Sequence, residues 1–143
     1  MALSKKKNNE SKNMHFSRED QKKILSSSSP FIVKEAYSSI RTNLLFSQKG
    51  DECPVFIVTS PTANNGKSIN SVNMAVSFAQ MGKKTLLIDA DMRNPTVHRL
   101  FSIPVKNGLS EILAGLTDNI TVSKTDIENL SVLTAGKIPP NPS

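Results

Sequence analysis

The sequence has few of the residues that cross-link chains or build metal centres. Its 143 residues include one cysteine, two histidines, one tyrosine and no tryptophan. Cys53 alone cannot form an internal disulfide, and no cluster of metal-ligating residue types is present. No apolar run approaches the roughly 20 residues of a membrane-spanning helix, and none follows Met1 as in a signal peptide. These absences predict a small cytoplasmic domain.

The positive charge is concentrated at the N-terminus. Residues 1–25 contribute +4 of the net charge of +6. We expect residues 1–29 to form a basic, disordered tail with a serine linker, and a folded domain to begin at residue 30. Such a tail can touch anionic lipid or an acidic partner, although a flexible solubilising terminus is the simpler interpretation. Phe16 is the only aromatic residue in the tail, which argues against nucleic-acid binding.

Residues 54–80 follow a strand–loop–helix pattern. Val55–Val58 is a continuous apolar run, which predicts a buried parallel strand, and residues 60–65 are small, polar or turn-forming. After the loop, apolar residues recur at helical spacing: Ile69, Val72, Ala75, Val76 and Ala79. This order is the setting that a phosphate-binding P-loop requires.

The loop itself supplies the predicted nucleotide-binding residues. These are Thr62, Ala63, Asn64, Asn65, Gly66, Lys67 and Ser68. Lys67 would neutralise the phosphates of ATP, and the Ser68 hydroxyl would ligate Mg²⁺. Pro61 stands where the general motif has glycine, so Asn64 and Asn65, which tolerate left-handed backbone, are expected to shape the loop instead.

A second apolar run, Thr85–Ile88, ends in two carboxylates. Asp89 and Asp91 are two residues apart, so on extended backbone they share a face. With Ser68 they form the predicted metal site, and with Lys67 the predicted catalytic set. Which carboxylate positions the metal and which accepts a proton stays open. The alternative is an acidic loop that caps the following turn.

Several motifs together resemble the bacterial tyrosine kinases of capsule and exopolysaccharide synthesis. The segment 86–95 matches their second Walker-type motif, with three apolar residues before Asp-x-Asp-x-Arg. Segments 35–43, 107–115 and 130–143 are similar to other parts of the family, and residues 130–134 are expected to form a further buried strand. The resemblance runs from about Pro30 to Ser143, which makes residues 30–143 the N-terminal portion of a P-loop kinase domain.

The resemblance implies an α/β, P-loop NTPase-like fold with a mainly parallel sheet flanked by helices, incomplete at the C-terminus. It implies an ATP- and Mg²⁺-dependent tyrosine autokinase, with Asp89 favoured for the proton. A helix over Phe31–Phe46 is predicted by the apolar stripe of Val33, Tyr37, Ile40 and Leu44. The resemblance implies self-association through this helix, which carries Glu35 and Arg41. The implied partners are a membrane-embedded polysaccharide co-polymerase that activates the kinase at the inner face of the membrane, and a cognate tyrosine phosphatase.

The sequence departs from the family in three ways. Ser38 replaces an arginine of the association helix, and both the third aspartate motif and the tyrosine-rich tail are missing. The chain is therefore expected to be a poorly stable portion of a longer kinase, with Tyr37 packed rather than phosphorylated. Two alternatives stay open. One is a partitioning or septum-positioning ATPase, which usually has a further lysine that residues 60–65 lack; the other is a catalytically inactive nucleotide-binding module.

Overall fold

The computed structural model describes residues 19–48, 50, 53–62 and 65–141, which form two compact units. The sheet unit comprises the described parts of Leu25–Ile88 and Val122–Leu133. The loop unit comprises those of Met1–Ile24, Asp89–Thr121 and Thr134–Ser143. Residues 1–18 of the basic tail lie outside the described residues, so disorder there stays a prediction.

A three-stranded mixed sheet organises the sheet unit. Its strands are β1 (Thr85–Ile88), β2 (Ser123–Lys124) and β3 (Leu130–Leu133), in the order β1-β3-β2. β1 runs parallel to β3, and β2 runs antiparallel to it. The apolar runs predicted β1 and β3, and both strands are confirmed. β3 is mostly buried, whereas Leu86 and Ile88 of β1 are 49% and 47% exposed, so β1 is buried less than its pattern predicts.

Two helices belong to the same unit, α1 (Phe31–Ser47) and α2 (Lys67–Gln80). Both were predicted from apolar spacing and are confirmed. Val72 and Val76 of α2 are fully buried, and this helix contacts β1 and β3. By contrast, none of the seventeen residues of α1 is buried. No helix in the described part of the chain is long and apolar enough to cross a membrane.

The prediction of a buried strand over Val55–Val58 is wrong. The segment forms neither helix nor strand, and Val55 and Ile57 are 81% and 88% exposed. A strand needs a hydrogen-bonded neighbour, and no described residue pairs with this backbone. Only Phe56 has a defined aromatic contact, since its ring stacks on Phe78 of α2 with the centroids 5.5 Å apart.

The loop unit contains two short helices, α3 (Val97–Leu100) and α4 (Leu109–Leu113). Gly108, before α4, lies close to Gly136, after β3, because a Cβ on Gly108 would overlap the Gly136 backbone. The buried Glu111 carboxylate closes this contact by accepting hydrogen bonds from the Gly108 N–H (3.0 Å), the Lys137 N–H (3.1 Å) and the Ser110 hydroxyl (3.0 Å).

These contacts keep Glu111 ionised. Burial by itself raises the pKa of the carboxyl, but the hydrogen bonds from Lys137, Ser110 and the backbone N–H groups of Glu111 and Gly108 lower that pKa below its ordinary value. The charged carboxylate thus fixes the loop that follows β3.

The contact predicts the cost of adding one methyl group at Gly136. Gly136 and Gly82 both have left-handed backbone, with φ of 84° and 81°. A Cβ at Gly136 would overlap the Glu111 carboxylate, whereas one at Gly82 meets open space. We expect Gly82→Ala to lower the free energy of unfolding by about 1 kcal/mol, from backbone strain alone. Gly136→Ala should cost roughly 1–3 kcal/mol more, from overpacking. Urea denaturation measures both variants. Equal losses of stability would contradict the close packing of Gly136 against the Glu111 carboxylate.

Candidate functional site

The P-loop begins α2 with a left-handed glycine. Gly66 has a φ of 73° and Lys67 is the first residue of the helix, with Ser68 behind it. A helix leaves its first N–H groups without partners inside the helix, and glycine has no side chain with which to cap them. The start of α2 therefore has the chemistry of an anion-binding site.

The loop before Gly66 is held by side chains. The Asn65 amide donates to the Thr62 hydroxyl (2.6 Å), and the Ser60 hydroxyl donates to the Thr62 carbonyl (2.9 Å). Asn65 was expected to shape the loop because it tolerates left-handed backbone, but among the described residues of the loop only Gly66 adopts that conformation. Ala63 and Asn64 lie outside the described residues, so their part in the site stays a prediction.

Asp89 is a buried carboxylate that organises the loop after β1. It is 6% exposed. Its Oδ1 accepts the N–H of Asp91 (3.1 Å), and its Oδ2 accepts the N–H groups of Thr96 (3.2 Å) and Val97 (3.1 Å) at the start of α3. The alternative that the sequence left open, an acidic cap on the following turn, thus describes what Asp89 does here.

Asp91 is less buried than Asp89. Its Oδ1 accepts the N–H of Asn94 (2.9 Å), and the residue is half-buried. A carboxylate can accept about four hydrogen bonds, so the three N–H groups occupy most of the accepting positions of Asp89. Within the described ranges, no three carboxylates, histidines or cysteines are grouped as a metal site.

The neighbouring His98 is held neutral. Burial lowers the pKa of its imidazole and the charge of Arg99 lowers it further, while Asp89 acts in the opposite direction. Its buried Nδ1 has no hydrogen-bond partner among the described residues. Because its imidazole is neutral, His98 does not provide Asp89 with a positively charged partner.

The candidate residues are distributed over both units. Lys67 and Ser68 belong to the sheet unit, and Asp89 and Asp91 to the loop unit. Asp89 follows β1 directly, at the carboxyl end of a parallel strand, where open α/β sheets bind ligands. A shared site for the four residues stays a prediction.

The two residues predicted to mediate subunit association differ in their surroundings. Glu35 is exposed on α1. The Arg41 guanidinium instead donates to the Ser77 carbonyl (2.8 Å) and hydroxyl (3.0 Å) on α2, and to the Ser38 hydroxyl (3.0 Å). Ser38, which replaces a family arginine, is thus a partner of Arg41 within the chain. The association role of both residues stays a prediction.

Three polar residues with defined roles were not singled out from the sequence. Asn70 and Asn73 of α2 bind the Tyr37 hydroxyl, and Glu111 closes the Gly108–Gly136 contact. Asparagine is unfavourable inside helices, and residues three apart share a face. Two asparagines at this spacing in the P-loop helix could therefore have been recognised from the sequence as residues with a specific role.

Comparison with known proteins identifies the class of this site. The family model described as the CobQ/CobB/MinD/ParA nucleotide binding domain matches residues 56–135. The chain belongs to this family of P-loop NTPase-like domains.

Its relatives include tyrosine-protein kinases. The chain is 39% identical to tyrosine-protein kinase YwqD of Bacillus subtilis over 125 residues, which cover 86% of this chain and 53% of YwqD. It is 42% identical to tyrosine-protein kinase CpsD of Streptococcus pneumoniae over 113 residues, which cover 78% of this chain and 49% of CpsD. The solved BceF tyrosine kinase domain superposes with a TM-score of 0.72 at 40% identity, covering 83% of this chain and 48% of that domain. The chain thus spans about half the length of the relatives that it matches.

The different burial of the two aspartates leads to a stability prediction. Asp89→Asn replaces a buried acceptor of three N–H groups with an amide that can accept through one atom only. We expect it to lower the free energy of unfolding by about 2 kcal/mol, whereas Asp91→Asn, at a less buried position, should cost less. Thermal and urea denaturation of the two variants check this. A loss at Asp91 as large as that at Asp89 would contradict the assigned division.

Proposed function

We propose that residues 30–143 are the nucleotide-binding portion of an ATP-dependent protein-tyrosine kinase. The observation that carries this proposal is the P-loop, in which left-handed Gly66 places Lys67 and Ser68 in the first turn of α2. The kinship to YwqD and CpsD, both named tyrosine-protein kinases, supports phosphate transfer to tyrosine.

The chain offers a donor set that suits a magnesium nucleotide. Hard oxygen ligands are what Mg²⁺ prefers, and the Ser68 hydroxyl and the Asp91 carboxylate are such ligands. The ion, when bound, would supply charge neutralisation at the phosphates. Lys67 would neutralise phosphate charge as well, and the N–H groups of α2 would orient the phosphates.

The two aspartates divide the remaining work. By resemblance we favoured Asp89 as the acceptor of the tyrosine proton, but its carboxylate already accepts three N–H groups. Those three hydrogen bonds occupy most of the positions at which its carboxylate can accept. We therefore infer that Asp91 is the better candidate for contact with metal or hydroxyl, and that Asp89 fixes the loop on which Asp91 lies.

The cellular setting follows the family resemblance. We infer regulation of capsule or exopolysaccharide synthesis at the inner face of the membrane, together with a membrane-embedded activator and a cognate phosphatase. Self-association through α1 is supported by its exposed surface, since Phe31, Ile32 and Phe46 are 73%, 76% and 83% exposed.

The first test concerns Lys67. Lys67→Met removes a cation that faces the phosphates, so we expect the affinity for MgATP to fall at least tenfold, or about 1.4 kcal/mol. Titration calorimetry on the 143-residue chain measures this, and circular dichroism shows whether the variant is folded. Lys84→Met, which changes an exposed lysine outside the P-loop, is the matched control. Equal affinity of the Lys67 variant and the unaltered chain would reject the P-loop assignment.

The second test separates a kinase from a nucleotide-binding module. The chain is incubated with MgATP and a tyrosine-rich peptide, and phosphotyrosine is measured by mass spectrometry. We expect transfer to the peptide to fall at least a hundredfold in Asp91→Asn, roughly what general acid–base catalysis contributes, with little change in nucleotide affinity. Nucleotide binding without any transfer would favour the module.

A further inference from the structure

The only tyrosine of the chain is hydrogen-bonded to the helix that follows the P-loop. The Tyr37 hydroxyl on α1 lies 2.7 Å from Oδ1 of Asn70 and 3.3 Å from Nδ2 of Asn73. Asn73 is 3% exposed, and its Oδ1 accepts the N–H of Leu25 (2.8 Å). At the other end, Nδ2 of Asn70 donates to the carbonyl of Gly66 (3.0 Å). These five residues form what we call the Tyr37 relay.

The direction of every hydrogen bond in the relay is fixed by its ends. The Leu25 N–H can only donate, so Asn73 must turn its oxygen to Leu25 and its NH₂ to Tyr37. The Tyr37 oxygen accepts that bond, and its hydroxyl proton is then directed to the Asn70 oxygen. This leaves the NH₂ of Asn70 for the Gly66 carbonyl, which can only accept.

The relay ends on the peptide that enters the P-loop helix. The Gly66 carbonyl accepts both the backbone N–H (2.9 Å) and the side-chain NH₂ (3.0 Å) of Asn70. Because the peptide unit is planar, fixing this carbonyl also fixes the direction of the Lys67 N–H. That N–H belongs to the first turn of α2, where phosphate would bind.

We propose that Tyr37 is a positioning residue for the P-loop, acting through Asn70 on the Gly66–Lys67 peptide. Its substrate class is the phosphate groups of a nucleotide, and in this the proposal rests on the function proposed above. Without the Tyr37 hydroxyl, the Asn70 amide can rotate, and Gly66 loses one of its two hydrogen bonds. The P-loop would then be less ordered in the free protein, and the cost of ordering it on binding would lower the affinity for the nucleotide.

Tyr37→Phe tests the relay because it removes only the hydroxyl. Thr42→Val is the matched control, since the Thr42 hydroxyl on the same helix donates only to the Ser38 carbonyl (2.9 Å) of α1 itself. We expect Tyr37→Phe to weaken MgADP binding to the 143-residue chain roughly three- to tenfold, the value of one hydrogen bond, and Thr42→Val to leave it within about 1.5-fold.

A double-mutant cycle distinguishes positioning from general stability. If Tyr37 acts through Asn70, Tyr37→Phe should weaken MgADP binding by less than about twofold once Asn70 is alanine. Additive losses in the double variant would overturn the proposal, because they would mean that the two side chains act independently.

Amide hydrogen exchange tests the relay without any nucleotide. In Tyr37→Phe the Asn70 N–H, which donates to the Gly66 carbonyl, should exchange at least about threefold faster, and in Thr42→Val at the original rate. Unchanged exchange overturns the relay even if MgADP binding falls. Faster exchange with unchanged binding overturns its link to the nucleotide. If the unaltered chain does not bind MgADP, the proposed function fails and the relay's role in positioning phosphate fails with it, whatever the exchange rates show.

Discussion

The parallel pairing of β1 with β3 is the constraint on which the candidate site depends. Ile88 lies opposite Leu133 in this pairing, so the chain leaves both strands at the same edge of the sheet. Asp89 follows one strand and Thr134 the other. Each loop is then fixed by a buried carboxylate that accepts backbone N–H groups. Asp89 fixes the loop after β1, and Glu111 of α4 fixes the loop after β3. In these short, irregular segments, the backbone is fixed by charge-assisted hydrogen bonds and not by apolar packing.

The two faces of α2 do different work. Its apolar face, centred on Val72 and Val76, is buried and anchors the helix in the sheet unit. Its polar face is held to α1 by side-chain hydrogen bonds, from Arg41 to Ser77 and from Tyr37 to two asparagines. Because no residue of α1 is buried, this helix depends on polar contacts far more than α2 does. Because hydrogen bonds are directional, they can hold the P-loop in a defined position better than apolar contacts would.

Much of the fold could be predicted from local patterns, and the failures have one cause. The bounds of α1 and α2 and the positions of β1 and β3 follow from apolar spacing within each segment. The exposure of Val55–Val58 could not be predicted, because burial of a strand depends on a neighbouring strand that need not lie nearby in sequence. The same holds for the Tyr37 relay, which requires groups up to 48 residues apart in sequence to meet. The P-loop was predictable because its residues are contiguous.

We propose that the first turn of α2 binds the phosphates of a magnesium nucleotide. A titration of the isotopically labelled 143-residue chain with MgADP, followed by amide chemical shifts, tests this. We expect the largest changes on residues 65–70, with a second group in the loop that follows Asp89. Saturable binding that leaves residues 65–70 unchanged would contradict it, and so would the absence of any change at millimolar MgADP.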